Sequence, residues 1–215
     1  MPHIDSKNDK LRVGCLNVFH IINKTPDITV FLNDPTPFHL FGLCETRLSS
    51  KVCDSAISIP GYSVFRRDAT AAGETGIAAY VHHSVQHLTR RRPDLESSNL
   101  ECLWLEVKSR KSPSVLVGFL YRNPTASFDW YDCFTENLDI VLKDNTNVLL
   151  LGDFNLDMFK PHPAWDATSS LFGLTQLVSS PTRVTASSST LIDHIYTNNP
   201  SAVSDICVPV LSVSD

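Results

Sequence analysis

The chain has no excess of positive charge. Its 215 residues carry 18 lysines and arginines against 23 aspartates and glutamates, a net charge of −5. That balance argues against a uniformly basic nucleic-acid binder. It still allows an acidic metal site beside a local basic patch. There is no C-x-x-C pair: Cys15, Cys44, Cys53, Cys102, Cys133 and Cys207 are scattered, several within apolar runs. This spacing argues against a disulfide framework and for buried, reduced thiols in an intracellular protein. No apolar stretch reaches membrane-spanning length, so no membrane partner is expected. Met1 to Lys10 is polar, lacks the apolar centre of a signal peptide and reads as a disordered tail. The sequence also lacks a Walker A loop, a G-x-G-x-x-G turn, a G-x-S-x-G elbow and a His/Cys set with zinc spacing. No repeat or linker divides residues 11–215, which read as one domain.

Hydrophobic residues make up 42% of the chain, enough for a sizeable core. Apolar runs predict strands at Leu11 to Val18, Phe38 to Cys44, Ser63 to Arg67, Gly76 to Val81, Leu100 to Val107 and Val115 to Leu120. Further strands are expected at Val148 to Leu151, Leu191 to Tyr196 and Ile206 to Val213. A short helix should open at Thr25-Pro26, with Thr25 as its cap, and run toward Leu32. Asp129 to Leu142 is the clearest helix: Trp130, Phe134, Leu138, Val141 and Leu142 share one face, and Asp129 is placed to cap it. Another helix is expected over Ala164 to Val178. Many strands joined by short turns, with few helices, favour a layered α/β domain with antiparallel or mixed sheets.

The apolar run Val148 to Leu151 ends in Gly152-Asp153-Phe154-Asn155. On an extended backbone Asp153 and Asn155, two apart, point to one face. Other strands also end in polar residues: Asn17, Glu45, Tyr121 with Arg122, and Asp193. Each alone has an ordinary reading. Asp153 and Asn155 could form an Asx turn, Glu45 and Arg47 a surface ion pair, Tyr121 and Arg122 an edge aromatic with a snorkelling neighbour. Together they form a set of hard oxygen ligands and phosphate-binding groups suited to Mg²⁺ or Mn²⁺ and to metal-assisted phosphodiester hydrolysis. Among the basic clusters Arg66-Arg67, Arg90 to Arg92 and Lys108 to Lys111, Arg90, Arg91 and Arg92 are the best candidates for DNA-backbone contacts. Arg122 is a further candidate. His82, His83 and His194 read as surface or packing residues, with His194 facing away from Asp193.

Six segments occur in the order expected of the endonuclease/exonuclease/phosphatase family: Cys15-Leu16-Asn17-Val18, Leu43-Cys44-Glu45-Thr46, Gly118 to Pro124, Gly152-Asp153-Phe154-Asn155, Leu191-Ile192-Asp193-His194 and Ser214-Asp215. With Ile59-Pro60-Gly61-Tyr62, Arg67-Asp68 and Gly76 to Val81, the chain more closely resembles the apurinic-type endonuclease domain of LINE-type (non-LTR) retrotransposon polyproteins. The resemblance implies a DNase I-like four-layer α-β-β-α sandwich, two packed mixed sheets flanked by helices. It implies a Mg²⁺-dependent endonuclease that nicks double-stranded DNA in the nucleus. The nick leaves a 3′-hydroxyl to prime a fused reverse transcriptase. Glu45 would bind the metal with Asn17 beside it, and Asp153 would orient or deprotonate the attacking water. Asn155 and Tyr121 would hold the phosphate or its water. Asp193 would orient a histidine, and Asp215 would be the aspartate preceding that histidine. The sequence ends at Asp215, so the chain is expected to be a fragment of low or no activity. A phosphatase or phosphodiesterase of the same fold, or a catalytically inactive DNA-binding module, is the alternative.

Overall fold

The computed structural model describes residues 10–70, 73–109, 113–143 and 147–209. In chain order the elements are β1 (Val13–Asn17), α1 (Thr25–Leu32), β2 (Leu40–Cys44), β3 (Tyr62–Arg67), β4 (Ile77–His82), α2 (His83–Gln86), β5 (Thr89–Arg91) and β6 (Glu101–Val107). They continue with β7 (Val115–Tyr121), α3 (Asp129–Leu142), β8 (Asn147–Asp153), α4 (Pro163–Leu171), β9 (Thr175–Gln176), β10 (Arg183–Val184), β11 (Ser189–Thr190) and β12 (Asp193–Thr197).

Two mixed sheets carry the fold: a four-stranded sheet in the order β1-β2-β4-β3 and a six-stranded sheet in the order β5-β6-β7-β8-β12-β9. Each contains a parallel pair joined by a helix. In the first, β1 and β2 are linked through α1; in the second, β7 and β8 are linked through α3. A parallel pair needs such a crossover, and it leaves the carboxyl ends of both strands at one edge. Asn17 and Tyr121 end β1 and β7, Glu45 follows β2, and Asp153 ends β8. β12 runs antiparallel to β8 and places Asp193 opposite Asp153. The strand topology therefore brings the polar residues to one edge.

Period-two alternation sorts the apolar side chains into three interfaces, which are the seams of four layers. Leu103, Leu105, Val117 and Phe119 join Leu40, Ile77, Ala79 and Val81 between the sheets. On the outer face of the larger sheet, Cys102, Trp104, Leu116 and Leu120 pack with Trp130, Phe134 and Leu138 of α3 and Trp165 of α4. On the outer face of the smaller sheet, Phe41, Leu43 and Tyr80 pack with Ile28 and Leu32 of α1. Gly42 lies where the sheets approach most closely, and a Cβ there would overlap the Phe119 ring. At Gly152 a Cβ would overlap the Leu120 carbonyl of β7. The glycine before Asp153 is thus required by strand packing.

Several expectations are corrected. α1 starts with Thr25 already inside the helix and Lys24 as its cap, and the Thr25 hydroxyl donates to the Ile21 carbonyl. Phe128, not Asp129, caps α3, with no side-chain cap bond. α4 ends at Leu171, not Val178: Gly173 takes φ +60°, the Leu174 amide donates back to Ser169, and β9 follows. β5 is a strand that no apolar run marked; it forms because Thr89 to Arg91 pairs with β6. Residues 206–209 are not a strand; residues 210–213 of that expected strand, residues 1–9 of the tail and residues 110–111 of the Lys108 to Lys111 cluster lie outside the described residues. All six cysteines are free; Cys44 and Cys102 are buried as expected, but Cys53 and Cys207 are exposed. Among the described residues no helix is long and apolar enough to cross a membrane.

Candidate active site

Asn17 is the bridge of the site. Its Nδ2 donates to Glu45 Oε1 and to Asp153 Oδ2, each at 2.8 Å, and so ties the two sheets together. Its Oδ1 accepts the Phe19 amide at 3.1 Å. Glu45 is further held by Arg47, whose Nη2 lies 3.2 Å from Oε2. Asp153 is almost fully buried and makes no ion pair among the described residues; its Oδ1 accepts the Asn155 amide at 2.9 Å. Burial first, and then the Asp193 and Glu45 charges, push its pKa up to about 7, against the opposing pull of the Asn17 and Asn155 hydrogen bonds. Burial likewise raises Asp193 above the usual carboxylate range, offset in part by Thr182 and Arg183. Tyr121 is buried, and burial with the charges of Glu45 and Asp153 holds its hydroxyl well above the ordinary phenol pKa. It stays protonated at neutral pH and can donate a hydrogen bond.

Backbone strain is concentrated here. The non-glycine residues with positive φ among the described residues are Phe19, His20, Glu45, Arg47 and Asn155. Each lies within three residues of Asn17, Glu45 or Asp153. Such conformations cost roughly 1–3 kcal/mol each and persist where surrounding structure enforces them.

The structure brings Asn17, Glu45, Tyr121, Asp153 and Asp193 to one edge, as the strand ends implied. Asn155 reaches the site differently from the same-face expectation. Its φ of +50° ends the extended geometry after Asp153, and its Nδ2 donates to the Arg122 carbonyl at 2.9 Å. The Asx turn considered as an ordinary alternative does form, yet the other oxygen of the same carboxylate still reaches Asn17. Arg122 is not open to DNA as expected. It is buried, with its guanidinium 5.3 Å from the Trp130 ring centre and 5.6 Å from that of Tyr131. Arg90, Arg91 and Arg92 are also taken up within the chain. Arg90 pairs with Glu106 at 2.7 Å, Arg91 with Glu96 at 2.6 Å, and Arg92 with Asp94 at 2.7 Å and Glu106 at 3.2 Å. His194 packs inside as expected, stacked on Phe154, and burial lowers its pKa to about 4. Asp215 lies outside the described residues.

Sequence reasoning passed over Glu101. It is a carboxylate at the first position of an apolar strand, and it sits opposite Tyr121 in register.

The family model for Endonuclease/Exonuclease/phosphatase matches residues 31–215. The chain belongs to the endonuclease/exonuclease/phosphatase family. No curated protein sequence matches it. Among solved structures it is similar to a 3′ phosphatase, NExo, from Neisseria bound to product DNA hairpin, with TM-score 0.66 and 18% identity over 90% of this chain and 88% of that one. An AP endonuclease, LMAP, from Leishmania major gives TM-score 0.66 and 14% identity over 88% and 79% of the two chains. A mannosyl-6-phosphatase from Bacteroides thetaiotaomicron gives TM-score 0.61 and 16% identity over 87% and 85%. At these identities the likeness establishes the DNase I-like fold: two mixed sheets flanked by helices.

Proposed function

We propose that the chain is a metal-assisted DNA endonuclease that nicks duplex DNA and leaves a 3′-hydroxyl. In this reading it is the endonuclease domain of a LINE-type retrotransposon polyprotein. It acts in the nucleus, and its nick primes a fused reverse transcriptase. The observation that carries the nuclease reading is the Asn17 bridge between Glu45 and the buried, cation-free Asp153. The ordered motifs of the sequence carry the LINE assignment.

The donor set fits a divalent cation. Among the described residues no three His, Cys, Asp or Glu side chains form a closed metal cage. Mg²⁺ does not require one, since it keeps several waters and takes one or two carboxylates. Glu45 and Asn17 supply hard oxygens, and the crowding of negative charge around Asp153 is the field that a cation relieves. Glu45 and Asn17 would hold Mg²⁺ or Mn²⁺, which when bound would offset negative charge on the phosphate oxygens.

The chain's own residues supply the rest. Asp153, buried and fixed by the Asn17 amide and the Asn155 backbone, is placed to take a proton from the attacking water. The water oxygen bonds to phosphorus, the P–O3′ bond breaks and the departing oxygen takes a proton from solvent, releasing one strand end as a 3′-hydroxyl and the other as a 5′-phosphate. The protonated Tyr121 donates to a phosphate oxygen. Asp193 sits opposite Asp153 and keeps its pKa high. Asn17 fixes the distance between Glu45 and Asp153.

A phosphomonoesterase of the same fold is the second reading. It is favoured by the pairing of Arg90, Arg91 and Arg92 with acids of their own chain, which offsets positive charge that a DNA backbone would use. Incubation with supercoiled plasmid and Mg²⁺ separates the two. The nuclease reading expects nicked circles, accumulating slowly over a long incubation, whose ends a DNA polymerase extends directly. Intact plasmid, with phosphate released from a sugar phosphate, would replace it with the second reading.

A further inference from the structure

We propose that Glu101 is a positioning residue that sets the backbone of Glu45 from the opposite sheet; the proposal rests on the metal-binding role given to Glu45 above. One oxygen of Glu101, Oε2, accepts three hydrogen bonds: the Thr75 amide at 2.8 Å, the Gly76 amide at 2.8 Å and the Thr75 hydroxyl at 3.1 Å. Glu101 begins β6 of the six-stranded sheet, while Thr75 and Gly76 lead into β4 of the four-stranded sheet. The carboxylate therefore clamps the two sheets at the end where the site forms.

The clamp continues to Glu45. The Gly76 carbonyl accepts the Thr46 amide at 3.2 Å, and the Thr75 carbonyl accepts the Arg47 amide at 2.6 Å. The two residues whose amides Glu101 grips are thus bonded in turn, through their carbonyls, to the two residues after Glu45. Thr46 is fully buried, and Glu45 and Arg47 both take φ +53°. A left-handed pair of non-glycine residues does not hold itself in place; here the hydrogen bonds on either side of Thr46 do so. Gly76 has φ +81°, and a Cβ there would stand 2.9 Å from the Thr46 hydroxyl, so only glycine allows this approach. Glu101 sits opposite Tyr121 in register, but its hydrogen bonds run to the loop that leads into β4. It acts through the loop, as the outer partners of metal ligands do elsewhere.

The test reads Mn²⁺ affinity by electron paramagnetic resonance on the protein without DNA, beside kcat and KM for plasmid nicking and the melting temperature. Glu101→Ala is expected to weaken Mn²⁺ binding about 10–100-fold and to lower kcat, with KM for DNA little changed. Glu101→Gln keeps an acceptor oxygen at the same reach and is expected to recover most of both. Should the alanine variant not fold, Glu101→Asp keeps the charge and withdraws the oxygen by one methylene; it is expected to weaken Mn²⁺ binding in the same direction. A folded alanine or aspartate variant with wild-type Mn²⁺ affinity and kcat overturns the proposal, as does a loss confined to KM. Wild-type protein that binds Mn²⁺ yet leaves DNA intact overturns the nuclease reading alone. Wild-type protein that binds no Mn²⁺ overturns both.

Discussion

The molecule has two strongly charged regions, and they are built on opposite rules. At the edge strand β5, every arginine has an acid of its own: Arg90 with Glu106, Arg91 with Glu96, Arg92 with Asp94 and Glu106. At the carboxyl ends of β1, β2, β7 and β8, Glu45, Asp153 and Asp193 are drawn together; Arg47 pairs with Glu45, and Arg183 offsets part of the Asp193 charge. Asp153 makes no ion pair among the described residues, and its carboxyl titrates near 7 instead of in the acid range. Matched charge is what a fold uses to join surface elements; crowded, unmatched charge opposes folding and persists where function requires it. A run of three arginines is the more conspicuous feature of the sequence, yet the isolated carboxylates at strand ends are the better functional signal.

The comparison can be broken first at Asp153. Asp153→Ala should lower Mg²⁺-dependent plasmid nicking by about 10²–10⁴-fold without loss of fold, the range expected on removing a general base. A folded variant with wild-type nicking would take Asp153 out of the chemistry.

The next effect is on stability. The folded pKa of Asp153 lies near 7, above its ordinary value of 3.8. The native state therefore holds a proton that the unfolded chain releases, so the contribution of Asp153 to stability falls as pH rises from about 4 through about 7. His194, lowered to about 4 by burial, acts in the opposite sense, losing stability as pH falls from about 6.5, but it is present in both proteins of the comparison. Urea unfolding without divalent cations should show wild type losing stability relative to Asp153→Asn across this window. Parallel curves, or a gain for wild type, would mean that Asp153 carries no electrostatic strain.

The smallest effect belongs to the basic edge. Arg92→Ala should cost about 1 kcal/mol or less, because Asp94 is largely exposed. It should leave the salt dependence of DNA binding unchanged. A fall of about one in that slope would show Arg92 neutralising a DNA phosphate.

Much of the fold was legible in the sequence, for reasons that also explain the misses. Apolar runs marked most of the strands that build the two sheets, and polar residues at or near the ends of those runs located Asn17, Glu45, Tyr121, Asp153 and Asp193. The period of Trp130, Phe134 and Leu138 located α3. What alternation does not report is a change of backbone sign. The left-handed turn at Asn155 ended the same-face argument, and Gly173 stopped α4 seven residues before its expected end at Val178. Pairing across strands was equally hidden: Arg90 meets Glu106 only because β5 lies against β6. The interior position of Arg122 depends on the aromatic faces that α3 brings over it. Glu101 stands at the first position of its strand, and its role lies in a loop of the other sheet, beyond the reach of local pattern.

The central claim is that the carboxylates gathered around Asp153 form a divalent-cation site while those paired at β5 are structural. Titration of Mn²⁺ into the wild-type protein, Glu45→Gln and Glu106→Gln, followed by electron paramagnetic resonance, compares the two regions directly. The expected result is saturable binding by wild type and Glu106→Gln, with affinity lost in Glu45→Gln. Equal affinity in Glu45→Gln and wild type, or a loss in Glu106→Gln as large as that in Glu45→Gln, would contradict it.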